Sequence, residues 1–340
     1  MKALKYILLL LLIVIIAVAI YAAMQPSEYD VNRSRIIEAP QQVTYNHIAD
    51  YKNWEAWSPW LEEDPGMTLE YPEKTSGVGG GYSWTGKDGS GKMETIEADP
   101  YSSLEQRITF EGFDPSTVYW DLEPAENGTK VTWGMRGDQN FMFKLYTLFM
   151  GNMDEMVGPM YERGLEKLDS ILVKDIQKYS IEINGVTNHG GGYYVYKSTS
   201  TKTSEVAESM ANLMPQVGKF AATNNITAAG PPFIIYHKWD EENNATIFSA
   251  CYPTTDRVIT TENSDVLTGE LKPFRALKTT LTGNYSNLKE AWEKAMEYLK
   301  KNELKEDMDG SYLEVYTTDP SQYPNPSDWV TEIYIPLQAE

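Results

Sequence analysis

Tyr312-Leu313-Glu314-Val315-Tyr316-Thr317-Thr318-Asp319-Pro320 is the stretch that decides the reading of this chain. It alternates with period two, is rich in aromatic and β-branched residues, and ends on turn-forming Asp-Pro, which are the marks of a short strand. A counterpart, Phe233-Ile234-Ile235-Tyr236, lies upstream, so that Tyr316 follows Tyr236 by 80 residues. The match extends outward from this pair. Gly192 to Thr199, a helical pattern through Val206, Met210, Leu213, Val217 and Phe220, the 233–236 strand and Cys251-Tyr252-Pro253 form one unit. Phe274 to Leu281, a helix through Leu288, Trp292, Ala295 and Leu299, the 313–316 strand and Tyr334-Ile335-Pro336 form another, with Pro336 83 residues after Pro253. Two β-α-β-β units at nearly constant offset predict a pseudo-twofold α+β domain with a groove at the seam, a usual place for a ligand.

Strand geometry puts Tyr312, Glu314 and Tyr316 on one face and Leu313 and Val315 on the other. The acid is therefore flanked by aromatic rings. A carboxylate among such rings suits a cationic or amphipathic ligand, because ring faces attract cations and a buried carboxylate needs a partner. The first-half position equivalent to Glu314 is Ile234, so only one half carries an acid. In the last strand Ile333, Ile335 and Leu337 share a face, leaving Glu332 and Tyr334 on the other. Spacing alone also allows Glu314 to be a surface acid on a solvated strand, and it favours a solvated or paired acid for Glu332.

The 313–320 run, followed by Thr331-Glu332-Ile333-Tyr334-Ile335-Pro336-Leu337, resembles the GyrI-like, or effector-binding, family over roughly residues 176–338. The resemblance implies small-molecule binding, with Glu314 as the central pocket acid and Trp329 and Tyr334 as wall candidates beside Tyr312, Tyr316 and Tyr236. Some members of that family are implicated in hydrolysing reactive small molecules. A hydrolase using Glu314 as general base, with Tyr316 or Tyr334, is therefore the catalytic alternative. No dedicated nucleophile motif accompanies these residues, so binding is preferred over catalysis. No helix-turn-helix precedes the domain, which uncouples any sensing role from transcription.

Upstream, Arg33 to Glu38 reads as a strand and Pro40 opens a helix through Val43, His47, Tyr51 and Trp54. Alternation then recurs at Tyr82 and Trp84, at Leu104, Ile108 and Phe110, at Val118, Trp120 and Leu122, and at Val131, Trp133 and Met135. From Asn140 to Leu172 the period becomes helical, with a break expected near Gly158-Pro159. The runs Glu38-Ala39-Pro40, Trp54-Glu55-Ala56-Trp57-Ser58-Pro59-Trp60 and Met156-Val157-Gly158-Pro159-Met160-Tyr161 resemble the START-like superfamily that includes polyketide cyclases, over roughly residues 30–174. That resemblance implies a helix-grip fold, a curved antiparallel sheet closing over a long helix around an apolar cavity. Trp60, Trp84, Trp120 and Trp133 are the candidate cavity residues, although large aromatics on strands are more often plain core.

The N-terminus carries an uncharged apolar run from Tyr6 to Ala23, long enough to cross a bilayer core of about 30 Å. Lys2 and Lys5 precede it and Glu28 and Asp30 follow it, which predicts a cytoplasmic N-terminus and an exported remainder. Residues 1–24 are thus read as a single-pass membrane anchor, with a cleaved signal peptide as the alternative. The 340-residue chain has 49 acidic and 29 basic residues, a formal charge of −20, which argues against nucleic-acid binding. The single cysteine, Cys251, excludes an intrachain disulfide. His47, His189 and His237 have no metal-ligand spacing, so neither metal nor cofactor is expected. The composite expectation is a tethered binder of small hydrophobic or cationic molecules. A structural or interaction protein of the cell envelope is the remaining alternative, and the sequence names no protein partner.

Overall fold

The computed structural model describes residues 2–339. Met1, Glu340 and the side chains of Lys2 and Ala3 lie outside the described residues, and with them the Lys2 part of the charge asymmetry. The chain divides into two compact units, Met1–Asp175 and Ile176–Glu340.

The first unit opens with α1 (Lys2–Met24) and passes almost at once into β1 (Glu28–Ile37). Glu28 and Tyr29, ahead of the strand expected from Arg33, already pair with Asp138 and Gly137. Next come α2 (Gln41–Ala49), α3 (Pro59–Glu63), β2 (Thr68–Glu70), β3 (Gly81–Gly86), β4 (Gly89–Asp99), β5 (Ser103–Phe110), β6 (Ser116–Ala125) and β7 (Gly128–Asp138). The strands form a seven-stranded antiparallel sheet in the order β1-β7-β6-β5-β4-β3-β2. Alternation on β5, β6 and β7 buries Leu104, Val118, Trp120, Leu122, Val131 and Trp133, and α4 (Phe141–Met150) and α5 (Met153–Ile176) follow.

Helix α5 lies against the sheet through Tyr161, Leu165, Leu168 and Leu172, all buried. The Tyr161 ring stacks on Trp133 with centroids 4.2 Å apart. Gly164 makes this approach possible, since a Cβ there would sit 2.6 Å from the Trp133 ring. Arg33 and Arg35 on β1 tie the helix down by ion pairs to Asp154, Glu162 and Asp169.

The helix break expected at Gly158-Pro159 falls instead at Gly151-Asn152. Gly151 ends α4 with φ 103°, a left-handed backbone that only glycine adopts without strain. Asn152 and Glu155 then exchange hydrogen bonds between side chain and backbone, a reciprocal cap that starts α5. Pro159 is only seven residues into α5 and leaves the helix continuous. The missing Cβ of Gly158 makes room for the Arg33 guanidinium.

The second unit runs β8 (Ser180–His189), β9 (Gly192–Thr201), α6 (Val206–Thr223), β10 (Phe233–Asp240), β11 (Ala245–Thr254), β12 (Leu267–Leu271), β13 (Phe274–Thr282), α7 (Leu288–Lys301), β14 (Tyr312–Tyr316) and β15 (Val330–Pro336). Its eight strands have the order β12-β9-β11-β10-β14-β15-β13-β8, two mirrored halves that meet at β10 and β14. The repeat is thus present as β9-α6-β10-β11 and β13-α7-β14-β15, with β12 and β8 added at the edges. Helix α6 packs on β9 and β11, and α7 on β13 and β8, covering one face of each half. The other face is closed by Phe233, Ile235, Cys251, Leu271 and Leu313, with Tyr194, Tyr196, Phe274 and Tyr334 around them.

Candidate functional site

The strands β10 and β14 pair antiparallel, with Ile234 opposite Glu314 and Tyr236 opposite Tyr312. Of the pairs in this ladder only Ile234 and Glu314 are also equivalent in the repeat, and a pair that faces its own equivalent marks the pseudo-twofold axis, so Glu314 is on that axis of the sheet. An acid at that point is a departure from symmetry that no ladder geometry requires.

Glu314 is 3% exposed and has no cationic partner among the described residues. Three neutral donors converge on it instead. Trp292 Nε1 donates to Oε1 at 2.6 Å, while Tyr316 Oη and Tyr236 Oη donate to Oε2 at 2.7 and 3.0 Å. Each comes from a different element, with α7 supplying Trp292, β14 Tyr316 and β10 Tyr236. Burial pushes the Glu314 carboxyl above its ordinary value, and the three hydrogen bonds pull it back only in part. Burial, and then the neighbouring carboxylate, hold the Tyr236 and Tyr316 hydroxyls well above the usual phenol value, so these two remain donors.

Above the carboxyl lies a groove of about 2670 Å³ between α6 and α7, and Glu314 is at its floor. Met210 and Met214 line it from α6, Trp292 and Met296 from α7, and Tyr285 lines it ahead of α7. Tyr236 and Trp292 meet edge to face at 6.0 Å, and Tyr285 meets Tyr316 likewise at 5.3 Å. Tyr316 Oη also lies 3.0 Å from Met210 Sδ. Aromatic faces with polarizable methionine make an adaptable apolar wall. Of the charged side chains along the groove six are acidic and three are lysines, so its field favours a cation over an anion.

The remaining sequence candidates are placed as follows. Tyr312 lines the groove, and its hydroxyl donates to Glu306 at 3.0 Å. Trp329 lies outside the groove lining, its ring tilted against Tyr285 at 4.6 Å and its Nε1 donating to the Tyr323 carbonyl. Tyr334 is opposite Leu313 in the ladder and so projects from the sheet face that Glu314 does not use. There it donates to Glu332 and meets His189. The β14–β15 register is what separates Tyr334 from the acid, because Glu314 is aligned with Ile333. Glu332 forms an ion pair with Lys278 at 2.7 Å. Trp292 and Met210, read from spacing as helix-core positions, are the site residues that sequence reasoning missed.

In the first unit the tryptophans turn their faces to one another. Trp120 stacks on Trp133 at 4.4 Å, and Trp57 meets both edge-on at 6.0 and 5.5 Å. Trp60 lies edge-on to Trp133 at 5.6 Å. Trp84 packs instead on Tyr82 and Phe110, beside a shallow depression of about 360 Å³. The rings of Trp57, Trp120 and Trp133 are thus buried against one another inside the first unit.

Residues 193–338 match the model of the GyrI-like small molecule binding domain. The second unit is a GyrI-like domain. Residues 29–172 match the polyketide cyclase / dehydrase and lipid transport family, so the GyrI-like domain follows a second domain of small-molecule-binding type. The C-terminal domain of EcmrR is similar to this chain at 16% identity, with 48% of this chain and 99% of that one covered and a TM-score of 0.41. EcmrR in its DNA complex gives 16% identity, coverage of 59% and 72%, and a TM-score of 0.41. Protein CV1439 from Chromobacterium violaceum is similar at 14% identity over 42% of this chain and 96% of its own, with a TM-score of 0.33. No curated protein matches the sequence.

Proposed function

We propose that this chain is a membrane-anchored receptor for small amphipathic organic cations, held in the GyrI-like groove over Glu314. The observation that carries this reading is the buried carboxyl with three neutral donors and no cationic partner among the described residues. An ionised carboxylate in such a place is costly until a counter-charge arrives, so a ligand cation gains the pairing that the protein withholds. The tyrosine and tryptophan rings add cation–π attraction, and the methionines adapt to the ligand's apolar part.

The anchor belongs to the same proposal. Leu4–Met24 is a helix long and apolar enough to span a membrane, although a signal sequence passes the same test. Lys5 in the first turn of the span and Glu28 and Asp30 after it support an extracytoplasmic position for both domains.

Binding of tetraphenylphosphonium to the full chain in detergent, against the neutral analogue triphenylphosphine oxide, tests the reading by calorimetry. Glu314→Gln is expected to weaken the cation by about 2 kcal/mol or more and leave the neutral compound unchanged. Equal binding of the cation to both proteins would sink it.

A second reading has its own support. A carboxyl raised by burial is what a general base working near neutral pH needs, so Glu314 is also the residue on which a hydrolase would depend. Turnover of reactive electrophiles that vanishes in Glu314→Gln would favour that reading over binding alone.

A further inference from the structure

We propose that α4 is an interfacial helix, lying in the headgroup region of the bilayer that α1 crosses. The inference rests on the membrane reading of α1 and adds a second contact with the same lipid. Helix α4 reads Phe-Met-Phe-Lys-Leu-Tyr-Thr-Leu-Phe-Met and has one charged residue. That residue, Lys144, is turned inward and donates to Ser27 Oγ at 3.1 Å. The outward face exposes Phe141, Met142, Tyr146, Phe149 and Met150, with Phe149 72% and Met142 69% exposed. Phe113, itself exposed, extends the patch from the β5–β6 turn and meets Phe143 edge-on at 6.0 Å. A patch of this kind in water is unfavourable and marks a surface that meets something apolar.

Its place in the fold says what that is. Helix α4 packs against α1. From Leu4 to Ala17 the side chains of α1 are exposed, whereas Val18 and Ala19 are half-buried and Ala22 is buried. The contact is therefore at the last turns of α1, where a spanning helix leaves the hydrocarbon. Tyr29, just past those turns, stacks on Phe143 at 6.2 Å. At about 15 Å, α4 is too short to span and long enough to lie in the interface plane. Aromatic and methionine side chains without opposing charge are what that layer accepts. The chain's net charge of −20 gives no attraction to anionic lipid, so the contact is apolar in kind and zwitterionic lipid suffices.

Full-length chain with Cys251→Ala, carrying single cysteines labelled with a fluorophore, is reconstituted into phosphatidylcholine vesicles. The labelled positions are Phe149→Cys, Met150→Cys, Ile13→Cys within α1, and Asp88→Cys in an exposed turn. Labels at 149 and 150 are expected to lose emission to lipid brominated near the headgroup and to be shielded from iodide. The label at 88 is expected to show the reverse, and the label at 13 to be quenched by deeply brominated chains. Labels at 149 and 150 that respond to iodide like the one at 88, while 13 reports lipid, overturn the proposal and leave the anchor standing. Shielding from iodide without quenching by brominated lipid means that a protein covers the face, and also overturns it. A label at 13 that is not in lipid removes the anchor and the proposal together. The two α4 variants guard against a single misfolded one, and both sites are exposed enough for the labelled chain to keep its thermal midpoint.

Discussion

Glu314 is placed where a group that changes charge has the largest effect. Burial raises its folded-state pKa above the ordinary 4.5, so on raising pH the unfolded chain loses this proton before the folded one does. The stability contributed by protonated Glu314 is complete below 4.5 and is lost as pH climbs through the raised value. A bound cation acts in the opposite sense, because it stabilises the ionised carboxylate. Affinity for tetraphenylphosphonium is thus expected to rise with pH over the same interval, with release of a proton that calorimetry in buffers of different ionisation enthalpy will count. Trp292→Phe keeps the ring and removes one donor to the carboxylate, so it should move this rise to higher pH. A binding profile flat with pH in both proteins would exclude Glu314 as the titrating group. Tyr312, Glu314 and Tyr316 are readable as one strand face from period two alone. Trp292 is not, because a helix position shows its partner only when α7 is set over β14.

At the scale of elements, short-range chemistry decides the helices and register decides the site. The α4–α5 break sits at Gly151, with φ 103° and ψ 159°, a conformation open essentially to glycine. Gly151→Ala is expected to destabilise the first unit by about 1–3 kcal/mol in urea unfolding, whereas Gly190→Ala, with no atom near its added Cβ and no left-handed φ, should be close to neutral. Equal effects would deny Gly151 its role. The sequence pointed to Gly158-Pro159 because proline interior to a helix usually breaks it. The Asn152–Glu155 cap starts the helix at Met153, six residues before Pro159, and the helix runs on through the proline. The edge strands β8 and β12 were missed, although Ile181 and Ile183 alternate. Tyr334 was grouped with Glu314, and one step of ladder register moves it to the opposite face.

For the whole molecule, the strongest long-range determinants are α1 and the duplication. If α1 is retained, the chain resists alkaline carbonate extraction and deletion of residues 2–26 releases it, and protease added to intact cells digests both units. A mature chain that begins after Ala23 would identify α1 as a signal sequence, and digestion only after lysis would reverse the proposed sidedness. The charge of −20 acts at this scale as well, since like-charge repulsion between copies opposes their association.

Local alternation, helical period and the 80-residue offset determined by themselves that there are two α+β domains, a duplicated second half and a lone acid at its centre. These features depend on nearest-neighbour geometry, which the order of residues encodes directly. Only tertiary structure decided that Tyr236, Trp292 and Tyr316 meet on Glu314, that Tyr334 does not, and that Trp57, Trp120 and Trp133 pack on one another in the first unit. Those outcomes depend on which strands pair, in what register, and how far a helix stands from a sheet. Such distances are set by packing among residues remote in sequence, and no local pattern carries them.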